Sequence, residues 1–298
     1  MKRNRFAIIE APSILGLFPK GVEDLPAALC GAGLAQQLRA EHFGRVEPPP
    51  YDAERDPATL MLNPHSIARY SVELADVVGA ALDDGAFPIV LGGDCSILLG
   101  NLLALRRRGR YGLLFLDGHA DFYQPEAEPG GEAASMDLAL ATGRGPAAVT
   151  DIEGRSPLVR DEDVVAIGRR DQADTDEYGS QRIEDSGIWV IDLEEVRRIG
   201  VERVADRAMP LLSKPEIDGF WIHLDADVLN DQIMPAVDYR MPGGLFWDEL
   251  VMMLRRSLRT GRAIGINVTI FNPKLDPDGA IARKFTQMLV AGLTSPKA

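Results

Sequence analysis

Cysteine is nearly absent: Cys30 and Cys95 are the only two in 298 residues. That is too few for a disulfide framework and suits a reducing compartment, so a cytoplasmic protein is expected. Cys30, inside LPAALCGAGLAQQL, reads as a small buried helix residue. Long apolar runs are missing as well. No segment approaches the roughly 20 apolar residues of a membrane span, and the opening MKRNRFAIIEAPS is interrupted at Glu10, too early for a secretory core. A basic excess is also lacking. The net charge of −13 speaks against nucleic acid as a partner, because phosphate binding needs cationic surface, and part of the acidic excess can be neutralised by bound cations. The one basic cluster, Arg106, Arg107, Arg108 and Arg110, follows an apolar run, where cations suit a helix C-terminus.

What is present is an ordinary globular composition, 46% hydrophobic and 26% charged, on a chain long enough to bury roughly three quarters of its unfolded surface. Short β-rich runs, FAIIE, FPIVLGG, GLLFLDG, DVVAIGRR, GIWVIDL, GFWIHLDAD and AIGINVTIF, alternate with helical patterns such as SIARYSVELADVVGAALDD and WDELVMMLRRSLRTG. Near-continuously apolar strands indicate a parallel sheet covered on both faces, an α/β fold. With no internal repeat or linker, one domain over residues 1–298 is expected. Two polar segments, 123–136 and 171–187, follow strands and should frame a site, because open α/β sheets bind ligands beyond their strand C-termini.

The chemistry concentrates at three strand ends. In LLFLDGHADF, Asp117, His119 and Asp121 recur at spacing two, which an extended chain projects to one side. FWIHLDADVL aligns His223, Asp225 and Asp227 in the same way. Carboxylates converging at a buried edge are costly unless protonated, paired or metal-bound. Such a set suits a pair of divalent cations bridged by shared carboxylates. The third strand end carries GGDCS, residues 92–96, with Cys95.

The ordered set GGDCS, DGHAD, HLDAD and MPGG (241–244) resembles the ureohydrolases, the family of arginase, agmatinase and formiminoglutamase, whose pattern reads GGDHS, DAHxD, SxDxD and Pro-Gly-Gly. The resemblance implies a three-layer αβα fold around a mostly parallel sheet of about eight strands, and a binuclear manganese site. Carried over by position, the first metal takes Cys95, Asp117, Asp121 and Asp225, and the second takes His119, Asp117, Asp225 and Asp227. A hydroxide bridging the two metals would attack a guanidine, hydroxyguanidine or amidine carbon, with Asp121 holding it and passing a proton to the departing amine. A small polar or cationic substrate and a homo-oligomer are implied too.

Departures from the family pattern bear on metal and substrate. Cys95 stands where the family has a histidine ligand. A thiolate moves preference from Mn2+ towards Zn2+ or Fe2+, and a branch of the family acting on N-hydroxylated arginine is similar in having cysteine there. The proton-shuttle histidine is missing: Gly130, Gly131, Glu132 and Ala134 occupy that stretch, and Glu132, Glu126 or His223 could replace it. His223 also fits a packed residue behind the ligands. Ile270 in VTIFNP stands where the family has a guanidinium-gripping glutamate, so an ordinary guanidinium loses its counter-charge. Ala173 falls where arginases contact the α-amino group. Asp171 matches the family's first loop aspartate, and with Asp174, Asp176 and Glu177 it reads as a solvated loop charge. Two alternatives stay open: a one-metal hydrolase of the deacetylase type using Asp117, His119 and Asp225, and a metal-binding protein without turnover.

Overall fold

In the computed structural model, which describes residues 5–294, the apolar runs form β1 (Phe6–Ala11), β3 (Phe87–Gly92), β4 (Gly112–Leu116), β5 (Val164–Ile167), β6 (Trp189–Ile191), β7 (Phe220–Asp225) and β8 (Ala263–Thr269). An eighth strand, β2 (Glu41–Arg45), has no apolar signature: its sequence EHFGR is exposed or half-buried throughout and pairs only with β1 at the sheet edge. The sheet runs β2-β1-β3-β8-β7-β4-β5-β6, and every pairing is parallel.

Alternation along the strands splits the apolar side chains between two cores. On one face Ile8, Ile89, Leu114, Ile222 and Leu224 pack under helices Leu25–Gly31, Val201–Leu211, Trp247–Arg259 and Ala280–Leu293. On the other, Ile9, Val90, Phe115 and Trp221 pack under helices Pro64–Asp83 and Ile97–Arg106. Each fully buried Leu or Ile contributes about 1.5–3 kcal/mol, so covering both faces stabilises the three-layer αβα arrangement. Helix ends follow local chemistry. Arg106 closes helix Ile97–Arg106, while Arg107, Arg108 and Arg110 pair with Asp76, Glu153, Asp83 and Asp163. Cys30 is helical as expected, though only half-buried. Among the described residues no helix is long and apolar enough to cross a membrane.

The carboxyl ends of β3, β8, β7 and β4, four neighbours in the sheet, open on one cleft. The segment 171–187, read as a polar loop, instead carries a short helix, Gln172–Tyr178, with no buried residue of its own. That lack of a core-facing stripe is why periodicity does not reveal it.

Candidate metal centre

Two glycines bring Cys95 to the site. A Cβ at Gly93 would stand 1.7 Å from the Ser13 carbonyl oxygen, and one at Gly92 would stand 2.1 Å from the Ile97 side chain. Only glycine allows so close a backbone approach. Asp94 then fixes the turn, accepting from Ser13 Oγ at 2.9 Å and from the Ser96 amide at 2.8 Å. Asp94 is therefore structural. Cys95 is 1% exposed, and its Sγ donates to Asp225 Oδ2 at 2.9 Å, with Thr269 Oγ1 at 3.3 Å. Burial, and then the carboxylates of Asp225, Asp137 and Asp121, push the thiol well above its ordinary range.

The spacing-two expectation for Asp117, His119 and Asp121 is corrected. β4 ends at Leu116, the chain turns, and Asp121 lies in the left-handed region at φ 44. The turn separates what an extended strand would align. His119 Nδ1 lies 2.8 Å from Asp227 Oδ2 and 3.7 Å from Asp117 Oδ1, whereas Asp121 faces Cys95 and Asp137. The second triplet is split as well: β7 ends at Asp225, and Asp227 follows in a helical turn whose amide donates to Asp225 Oδ1 at 2.8 Å.

Three groups of potential ligands overlap, the atoms of each lying within 4.8 Å of one another: Cys95, Asp117, His223 and Asp225; Cys95, Asp121 and Asp137; Asp117, His119 and Asp227. Every residue expected from the sequence to hold a metal falls in one of them. Several buried atoms here have no hydrogen-bond partner among the described residues: Asp117 Oδ2, both oxygens of Asp137, Asp171 Oδ1 and His223 Nε2. Orphaned carboxylate oxygens converging in a dry site are what a divalent cation would satisfy. Five aspartates, one thiol and the half-buried His119 form an oxygen-rich donor set that fits Mn2+, with the thiol adding affinity for Zn2+ or Fe2+. The electrostatics agree. Burial raises Asp121 and Asp225 well above the carboxylate range, helped for Asp121 by Asp117 and Asp137 and for Asp225 by Asp227 and Asp117. Burial also raises Asp117, but the nearby imidazoles of His119 and His223, each 3.7 Å away, outweigh it and hold that group low.

His223 sits in a cross-strand row. It stacks on Phe115, its β4 neighbour, with ring centroids 4.6 Å apart, and on the other side meets Asn267 of β8, whose Nδ2 lies 2.8 Å from His223 Nδ1. Its Nε2 lies 3.7 Å from Asp117 Oδ2.

The cleft above these groups holds about 620 Å³ and is lined by Cys95, His119, Asp121, Asp225, Glu132 and Ile270, among others. Glu132 is 1% exposed. Its Oε2 accepts from the Tyr239 hydroxyl at 2.8 Å, its Oε1 has no partner, and burial pushes the carboxyl up to about 7. Glu126 is exposed and is not among the residues that line the cleft. Asp171 corrects the solvated-loop expectation. It is 2% exposed, its Oδ2 accepts from the Ala120 amide at 2.9 Å, and it reaches the cleft with Asp174 and Tyr178. Asp137 went unnoticed in the sequence because it stands alone in SMDLALA, with no spacing signal. A buried helix-start aspartate beside an apolar run was the only hint.

A parallel eight-stranded αβα sheet with a buried, acid-rich, thiol-bearing centre at its strand C-termini defines a metallohydrolase-type architecture. The sequence pattern of the arginase family matches residues 4–295. An arginase of Bacillus caldovelox is 32% identical over 279 residues, covering 91% of each chain. The crystal structure of an arginase from Bacillus cereus superposes with a TM-score of 0.87 at 26% identity, over 99% of this chain and 100% of that one. The agmatine ureohydrolase of Thermoplasma volcanium shares the fold at a TM-score of 0.70 and 18% identity, over 98% of this chain and 89% of that one. The chain belongs to the arginase family.

Proposed function

We propose that this protein is a metal-dependent ureohydrolase that cleaves a C–N bond of an amidino group, using two divalent cations, Mn2+ by preference. The observation that carries the proposal is the convergence of Cys95, Asp117, His119, Asp121, Asp225 and Asp227 into overlapping groups with orphaned oxygens at the floor of one cleft. When bound, such a pair of cations supplies a nucleophile at neutral pH and charge stabilisation for the tetrahedral transition state.

The chain's own groups would do the rest. Asp121, buried beside Cys95 and at the cleft, would as a carboxylate take the proton of the attacking water and pass it to the departing nitrogen. Glu132, held near 7 and bonded to Tyr239, would carry a proton between cleft and solvent in place of the missing histidine. Ile270 bears on the substrate. Its φ of 66 is strained for a β-branched residue and its side chain lines the cleft, so no carboxylate grips the reacting head there. Such a site favours a less basic amidino head, such as an N-hydroxyguanidine, over an ordinary guanidinium. Glu128, Glu132, Asp171, Asp174 and Asp238 line the walls, favouring a cationic or neutral polar tail.

The test is release by the manganese-loaded protein of urea or hydroxyurea from arginine, agmatine and Nω-hydroxyarginine, and of ammonia from short amidines. Turnover of at least one, fastest with the hydroxylated head, supports the proposal; no release across the panel from metal-saturated protein refutes it. A cytoplasmic homo-oligomer completes the proposal, with the assembly read by light scattering.

A further inference from the structure

Two buried groups flank Cys95 and compete to complete its metal site: His223 on one side and Asp137 on the other. A ligand histidine offers a ring-nitrogen lone pair and donates its other N–H to an acceptor. The hydrogen-bond network assigns the opposite arrangement here. Trp221 Nε1 can only donate, and it donates to Asn267 Oδ1 at 2.7 Å. The amide nitrogen of Asn267 must then face His223 Nδ1, 2.8 Å away. That makes Nδ1 an acceptor and leaves the ring proton on Nε2, pointing towards Asp117 Oδ2. A protonated ring nitrogen cannot ligate. His223 therefore packs behind Asp117, 3.7 Å from its Oδ2 and without a hydrogen bond to it.

Asp137 has the opposite profile. It is 0% exposed, at the start of helix Asp137–Ala141, and neither carboxylate oxygen has a partner, although both Cys95 and Asp121 stand within ligand distance. Two carboxylates within 4.8 Å of each other and of a thiol, with no lysine or arginine bonded to them, need either a shared proton or a shared cation. We propose that Asp137 is a ligand of the first divalent cation, forming with Cys95 and Asp121 a site that His223 cannot serve. This rests on the proposed presence of a cation at Cys95. The added hard oxygen offsets the softness of the thiolate and keeps the site selective for Mn2+ over Zn2+.

The test uses full-length protein stripped of metal and titrated separately with Mn2+, Zn2+ and Co2+, comparing wild type, Asp137→Asn and His223→Asn. Ions per chain are measured by elemental analysis, and the thiolate-to-cobalt charge-transfer absorption reports the first site. Asparagine is isosteric with aspartate and removes an unpaired buried charge, so the variant should fold, which circular dichroism checks. Expected is a first-site Mn2+ affinity reduced by about tenfold or more in Asp137→Asn, with a smaller loss for Zn2+, and unchanged ion count and absorption in His223→Asn. Unchanged Mn2+ affinity in Asp137→Asn overturns the proposal and leaves Asp137 as a proton-sharing partner of Asp121. Loss of the absorption in His223→Asn overturns it in favour of the histidine, as does ¹⁵N NMR of the metal-free protein showing the proton on Nδ1. If wild type takes a single ion, the two-cation function fails separately: that ion upholds Asp137 if its thiolate absorption disappears in Asp137→Asn, and overturns it if no such absorption exists.

Discussion

Replacing Glu132 by Gln should make the metal-free protein more stable than wild type at neutral and alkaline pH and leave it unchanged in acid. The carboxyl is moved by burial from 4.5 to about 7, so between those values the folded state holds a proton that the unfolded state has released. Wild-type stability therefore falls as pH rises from 4.5 to about 7 and is constant beyond, as far as this group is concerned. At about 1.4 kcal/mol per pH unit the accumulated difference is about 3 kcal/mol. Glutamine keeps the shape and can still accept from the Tyr239 hydroxyl, but it never ionises. The assay is urea unfolding of chelator-treated wild type and Glu132→Gln from pH 4 to 9. Subtraction cancels groups that titrate alike in both. The expected difference is near zero below pH 4.5 and climbs to about 3 kcal/mol in favour of glutamine by pH 8. A difference that stays flat across this range refutes the placement of Glu132 as a buried, partly unpaired acid, and with it the role as proton carrier.

Ile270→Glu should restore a counter-charge at the cleft floor and lower KM for an ordinary guanidinium by roughly 10- to 100-fold, the equivalent of a charged hydrogen bond; urea release from agmatine or arginine reads it. Adding Mn2+ at 100 times its Kd to stripped protein should raise Tm by roughly 4 °C per occupied site, followed by calorimetry. Gly93→Ala should cost about 3 kcal/mol, because its Cβ meets the Ser13 carbonyl, and should weaken metal binding by displacing Cys95, measured by urea midpoint and elemental analysis.

Apolar continuity makes the other seven strands legible in the sequence, since helices cover both faces of the inner ones and the far-edge β6 is at least half-buried. The strand at the near edge, EHFGR, is not, because its exposed position requires no apolar residue. The ligand residues are legible by type and order, yet their spacing misleads: period two holds only while the chain stays extended, and both clusters straddle a strand end. Asp137 and the Trp221–Asn267–His223 relay depend on contacts between segments distant in the chain. Register alone sets His223 against Asn267, and one sequence carries no trace of register between non-consecutive strands. Asp171 illustrates the same limit, since its burial comes from the turn at Ala120 rather than from its own acidic neighbourhood.

The central claim, a two-cation centre built partly on a thiol, is tested most directly by counting divalent ions per chain in wild type and Cys95→Ala after incubation with Mn2+ and removal of free metal. Two ions in wild type and about one in Cys95→Ala are predicted. No ion bound, or the same single ion in both, would contradict it.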